Sequence, residues 1–301
     1  NTEVEMVVKK LNSVGRFRNS FELIYGNGTK MLVSDELMLD SVIQLLHGSK
    51  DGMPEPFEFV KILTYLDKSD SPIVKENIMM VELLFYNYIR HDVNLRHFQL
   101  FYGILHNPST MLELIKLAWL PDNEQAKEIR KNEFAKNKNL SSIAKIALEI
   151  LHGLEAQPCE NNNGVVNGQD LKKYAKELLE AAKSEYLERP AMYVIGKLLG
   201  NINLGEDYPP PYLGEILEEL DKDEIDDEYR RQLFNRHGFT CRAYNEGGTI
   251  ERKREKKFLS YAEKTRFTYD RITIVFEKLA SEYHHMGDRE DVNAKLEDLD
   301  N

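Results

Sequence analysis

The histidines and the two cysteines could do chemistry, and their spacing decides what chemistry that would be. His91, His97 and His106 fall in one stretch. A helical zinc site takes histidines four apart with a third ligand nearby. His91 and His97 are six apart across Asp92, so no metal is expected. His284 and His285 are adjacent, point about 100° apart on a helix, and read as cations at a helix end, complementing its dipole. Cys159 and Cys241 fit no C-x-x-C spacing and read as two free thiols in a reducing, cytoplasmic compartment. No G-x-S-x-G occurs, and no histidine lies near Cys159 in the chain.

Phosphate and calcium chemistry can be tested in the same way. Gly26-Asn27-Gly28-Thr29-Lys30 has the residue types of a P-loop but not their order. Gly247-Gly248 precedes a helix whose N-terminal amides could hold an anion, although Glu251 in the first turn opposes one. The acidic run from Glu215 to Glu228 contains none of the glycine that a calcium loop needs at its centre, so an EF-hand is rejected. No catalytic residue, metal or cofactor is therefore expected, and the chain reads as a non-enzyme. A hydrolase using scattered carboxylates is the rival, and a buried carboxylate of raised pKa in a concave pocket would favour it.

One basic cluster stands out: Arg252, Lys253, Arg254, Lys256 and Lys257. It could bind an anion, an acidic partner or nucleic acid. On a helix these cations spread around more than half the circumference, while Phe258 and Tyr261 should face the core. Pairing with the acidic run Glu215–Glu228 is expected instead. The net charge of -11 opposes a phosphate backbone, so a nucleic-acid module is the second reading.

Helices must position these groups, because a period of 3.6 dominates the apolar residues. Ser34 caps a helix carrying Met38, Leu39, Val42, Leu45 and Leu46. Ser71-Pro72 opens a helix that is apolar on nearly every side. Ser109 should cap the next but one, which ends before Pro121, and helices follow near 123–136 and 140–152. Leu171, Tyr174, Ala175, Leu178, Leu179, Ala182 and Tyr186 share one face of a further helix. Short helices at 191–199 and 212–220 and two beyond Gly247-Gly248 complete the set. Phe21–Tyr25 and Met31–Val33 flank Gly26-Asn27-Gly28, which is hairpin chemistry. The expected fold is all-α and helical-repeat-like, an α-solenoid or stacked antiparallel pairs, with one short β-hairpin near the N-terminus. The segment 153–168 is rich in asparagine, glycine and proline and should not pack. It divides an N-terminal helical subdomain, 1–152, from a C-terminal one, 169–301.

The segment Phe234-Asn235-Arg236-His237-Gly238-Phe239-Thr240, then Arg242, then Glu246-Gly247-Gly248-Thr249-Ile250-Glu251-Arg252 resembles a family of large uncharacterised bacterial proteins. Its mark is an asparagine–basic–glycine turn before a Gly-Gly and a helix beginning Glu-Arg. Leu279–Tyr283 followed by Asp288 and Glu290-Asp291 also fits that family's ending. Tyr208-Pro209 stands where the family usually has a tryptophan before the proline. Ser69–Tyr88 and Leu95–Leu117 resemble its upstream helices, so the likeness runs from about residue 55. It implies a helical C-terminal region of a larger polypeptide and does not imply an activity. Asn235, Arg236, Gly238, Gly247, Gly248 and Glu251 then read as a structural motif.

The chain of 301 residues is 42% hydrophobic and 30% charged. That suffices for one large core or two smaller ones, and no apolar run approaches the ~20 residues that span a bilayer. The start at Asn1 suggests a domain fragment. The expectation is a scaffold or interaction region that holds a protein partner or another domain of the same polypeptide, with no membrane partner.

Overall fold

A computed structural model describes residues 2–25, 32–90, 98–161, 164–206, 208–236 and 246–299. Sixteen α-helices occur among them: α1 (Thr2–Ser13), α2 (Phe17–Tyr25), α3 (Asp35–Gln44), α4 (Pro56–Leu66), α5 (Pro72–Leu84), α6 (Tyr86–Ile89), α7 (Gln99–His106) and α8 (Pro108–Ala118), then α9 (Glu124–Lys136), α10 (Lys138–Gly153), α11 (Gly168–Ser184), α12 (Glu188–Gly200), α13 (Pro211–Leu220), α14 (Asp223–Asn235), α15 (Thr249–Thr265) and α16 (Asp270–Leu299). The fold is all-α. Strand pairing among the described residues amounts to a single antiparallel bridge, Glu160 to Val166.

The chain divides into two compact units. The first comprises Asn1–Ala118 and Asn132–Ile150; the second comprises Trp119–Lys131 and Leu151–Asn301. The second unit thus takes in Trp119–Lys131, a stretch that lies inside the 1–152 subdomain expected from sequence.

Local chemistry sets the helix starts of the first unit. The Ser34 hydroxyl accepts from Leu37 N at the head of α3. Glu55 and Glu58 form a capping box on α4, with Pro56 in its first turn. At α8 the side-chain oxygen of Asn107, not Ser109, caps, accepting from Ser109 N at 2.9 Å. Phe21, Phe59, Phe85 and Tyr88 form the aromatic centre of this unit, with successive ring centroids 5.2, 4.6 and 6.0 Å apart. Burying each such ring contributes about 1.5–3 kcal/mol.

The expected hairpin is not formed as drawn. Phe21–Tyr25 belongs to α2, because Phe17, Phe21 and Ile24 recur at helical spacing and all face the core. Gly26-Asn27-Gly28 and Met31 lie outside the described residues.

In the second unit α15 and α16 form an antiparallel pair. Phe258 stacks on Tyr283, with centroids 5.8 Å apart and 1° between planes, and Phe234 stacks on the same tyrosine at 5.4 Å. By contrast, α12 and α14 run parallel. A Cβ on Gly196 would stand 2.7 Å from the Glu228 Cβ, and one on Gly200 would stand 2.4 Å from the Gln232 Cβ. The two glycines let these helices meet backbone to backbone. Helix α14 was not among the expected helices. Ile225, Tyr229 and Leu233 give it a buried stripe nonetheless.

Two further expectations are corrected. Tyr186 does not continue the inner face of α11: the helix ends at Ser184, and Tyr186 is exposed in the left-handed region at φ 58°. The stretch 153–168 does pack in part. Leu154 is buried and its carbonyl accepts from Asn201 Nδ2 at 2.9 Å. Asn161 N donates to Val165 O at 2.9 Å, and Asn167 N donates to Cys159 O at 3.2 Å.

Candidate functional site

The second unit contains a cleft of about 540 Å³. Four short pieces of chain build it. Trp119 and Leu120 follow the end of α8, and the turn is pinned where Asp122 N donates to Tyr186 O at 2.8 Å. His152 lies in the last turn of α10, where its carbonyl accepts from the Lys197 ammonium. Arg189, Pro190 and Tyr193 come from the first two turns of α12. Glu224, Asp227, Glu228 and Arg231 recur at i, i+3, i+4 and i+7 on α14, so they share one face.

Three rings meet in this cleft. Trp119 and Tyr193 stand 6.0 Å apart at 63°, His152 and Tyr193 6.0 Å apart at 66°, and Trp119 and His152 6.4 Å apart at 61°. Each ring is thus steeply inclined to the other two, and all three border the same hollow.

Charge on the lining is mostly negative. Four carboxylates (Asp122, Glu224, Asp227 and Glu228) face two guanidiniums, Arg189 and Arg231. Arg231 is held by Glu228 at 2.5 Å. Burial pushes the Glu228 carboxyl up, against the opposing pull of Arg231 and Lys197. Burial also pulls the Lys197 ammonium down, opposed by Glu228. Asp227 stands 3.7 Å from Arg230 and 3.9 Å from Lys278. Among the described residues Asp122 and Glu224 form no ion pair.

The basic cluster is taken apart by its surroundings. Arg252 reaches Asp288, Asp291 at 3.3 Å and Glu255 at 3.3 Å, and these contacts raise its already high pKa. Arg254 lies over the Tyr283 ring at 5.6 Å and Lys257 over Tyr261 at 5.6 Å. Lys253 and Lys256 are exposed. The expected pairing with Glu215–Glu228 is therefore wrong in its partners. That run is met instead by Lys172 and Lys176 at Glu219, and by Arg271 at Asp221, Asp223 and Asp226. Two long helices, α15 and α16, place opposite charges face to face, and no sequence spacing within either one reports that.

The described part of the 235–252 segment makes contacts within the fold. Asn235 ends α14, and Arg236 donates to Gly200 O at 3.0 Å and Ile202 O at 2.7 Å, closing the end of α12. Gly248 N, which opens α15, donates to the Asp291 carboxylate at 2.7 Å. The anion suspected at Gly247-Gly248 is thus a side chain of the same protein. Glu251 is fully buried. Gly238 and Cys241 lie outside the described residues, as do His91 and His97. His284 and His285 sit inside α16 and not at its end; His284 Nδ1 is 2.9 Å from Glu255 and its Nε2 3.5 Å from Asp288. Burial, with a smaller contribution from Asp170, pushes the Cys159 thiol up to about 11, which is the opposite of nucleophile activation.

A buried carboxylate of raised pKa does exist, in the first unit. Glu82 on α5 is fully buried, and burial followed by the charge of Asp67 holds its carboxyl far above the ordinary range. It accepts from Leu100 N at 2.6 Å and Gln99 N at 3.3 Å. Those are the first amides of α7, so the group serves as that helix's cap, supplied from another helix.

Among the described residues no helix is long and apolar enough to cross a membrane. The chain matches no family model, no curated protein and no solved structure with which it was compared.

Proposed function

We propose that this chain is a non-enzymatic helical interaction region that holds a protein partner, or another domain of a larger bacterial polypeptide of the family it resembles, in the cytoplasm. The observation that carries this reading is how the charged groups are used. Arg252 of the basic cluster is tied to Asp288, Asp291 and Glu255. The buried carboxylate Glu82 caps a helix. Lys253 and Lys256 stay exposed on α15, and a concave, ring-lined surface with unpaired acids is also open to a partner. Such a surface suits protein recognition better than phosphate binding or acid–base chemistry.

A pull-down with the immobilised chain, run beside duplex and single-stranded DNA binding at low and moderate salt, tests it. One protein partner recovered in stoichiometric amount, with weak and salt-sensitive DNA binding, is the expected result. Submicromolar DNA binding that is abolished by neutralising Arg252, Lys253 and Lys256 overturns it in favour of the nucleic-acid reading.

A further inference from the structure

We infer that the cleft of the second unit takes an arginine side chain, carried on a basic segment of the partner protein, against the rings of Trp119, His152 and Tyr193. This deepens the interaction reading and rests on it. A cation within about 6 Å of an aromatic centroid is attracted by the ring face, most strongly when the site is shielded from water. Three rings inclined at 61–66° with centroids 6.0–6.4 Å apart border one hollow, so a single cation there is within reach of all three.

Charge decides the sign of the occupant. With Arg231 held by Glu228 and Asp227 shared by Arg230 and Lys278, the remaining lining offers Asp122 and Glu224 against Arg189 alone. A phosphate or an acidic peptide meets net repulsion there, and a cation meets attraction.

The carboxylates then select among cations. Asp122 and Glu224 are acceptors without an ion pair, and they call for an N–H donor. A quaternary ammonium has none. A guanidinium carries five in a planar fork that pairs with carboxylates while its face stacks on a ring. At about 540 Å³ the cleft exceeds one side chain, leaving space for the residues that flank it.

Trp119 is the only tryptophan of the chain, so its emission reports on this cleft. The probe is a glycine–serine peptide bearing spaced arginines, titrated into the full chain. Identical peptides with lysine or citrulline at those positions, and tetramethylammonium, serve as comparisons. The arginine peptide should change Trp119 emission saturably, the lysine peptide should bind more weakly, and the citrulline peptide should leave emission unchanged. Glu224→Gln combined with Asp122→Asn should weaken binding roughly tenfold, and Tyr193→Ala by a similar factor if circular dichroism shows the fold kept. Equal binding of the citrulline or lysine peptide, or no response to the arginine peptide, overturns the assignment. Tetramethylammonium binding as tightly as the arginine peptide also overturns it, by pointing to a small cation. A partner captured stoichiometrically by a chain that ignores the arginine peptide would overturn the cleft assignment alone and leave the interaction reading standing.

Discussion

Asp291 accepts the backbone N–H of Gly248 at 2.7 Å, so a side chain of α16 caps the start of α15. The same carboxylate lies 3.3 Å from Arg252. The Gly248 hydrogen bond is the main cause holding the Asp291 carboxyl below its ordinary range. Its folded pKa is depressed, so its contribution is complete above the ordinary carboxylate range and is lost as pH falls through the folded value. Asp291→Ala should lower the melting temperature by about 2–4 °C at neutral pH, with the difference shrinking on acidification. Gly248→Val should cost more at every pH, since its Cβ would stand 2.4 Å from the Gly287 carbonyl oxygen. Thermal melts across the acid range measure both.

Glu82 has the opposite linkage. Its folded pKa is raised, so it binds its proton more tightly in the folded chain than in the unfolded one. Stability from this group is therefore greatest below the unfolded carboxyl value and declines as pH rises toward the folded value. Glu82→Gln keeps an acceptor for Leu100 N and carries no charge, so denaturant midpoints should fall less with rising pH than in the parent. Glu82→Ala removes the acceptor from the buried Leu100 amide, while Gln99 N keeps Asp67 at 3.4 Å, and should cost about 1–3 kcal/mol near neutrality.

Arg271 compensates Asp226, whose carboxyl burial pushes up to about 6 against the pull of that guanidinium. In Arg271→Gln the pull is gone and the folded pKa rises further. The variant should melt several degrees lower at neutral pH. The deficit should narrow as pH falls and Asp226 takes up its proton. A pH series of melting temperatures for the two proteins gives the answer.

Arg189 is the cation that opposes a basic ligand in the cleft. Arg189→Gln should tighten the arginine peptide by roughly threefold to tenfold, with the gain larger at low salt. Weaker binding would mean that Arg189 assists the ligand instead of repelling it.

Much of the fold was legible in the residues, because helix periodicity and capping act over a few positions. Ser34 with Asp35 and Glu36, Ser71-Pro72 and the six buried apolar residues of α11 from Leu171 to Ala182 all stand where the pattern puts them. Helix α14 escaped because Asp223, Glu224, Asp226 and Asp227 crowd its first turns and hide the Ile225–Tyr229–Leu233 stripe. Phe21 misled in the other direction: its neighbours Gly26-Asn27-Gly28 are turn formers, yet its own burial follows helical spacing with Phe17 and Ile24.

The cleft was not legible at all. Trp119, His152 and Tyr193 belong to three separate segments, and only the packing of the second unit brings their rings within 6.4 Å. Glu82 does leave a signal in the sequence: a lone carboxylate in the apolar stretch from Ile78 to Tyr86 needs a partner if that stretch is buried.

The central claim is that a partner is held through the cleft and not through the basic face of α15. Isothermal titration of the arginine peptide into two double variants tests it directly. Asp122→Asn with Glu224→Gln should weaken binding by roughly tenfold, whereas Lys253→Gln with Lys256→Gln should leave it unchanged. Unchanged binding in the cleft variant, with loss in the lysine variant, would contradict the account.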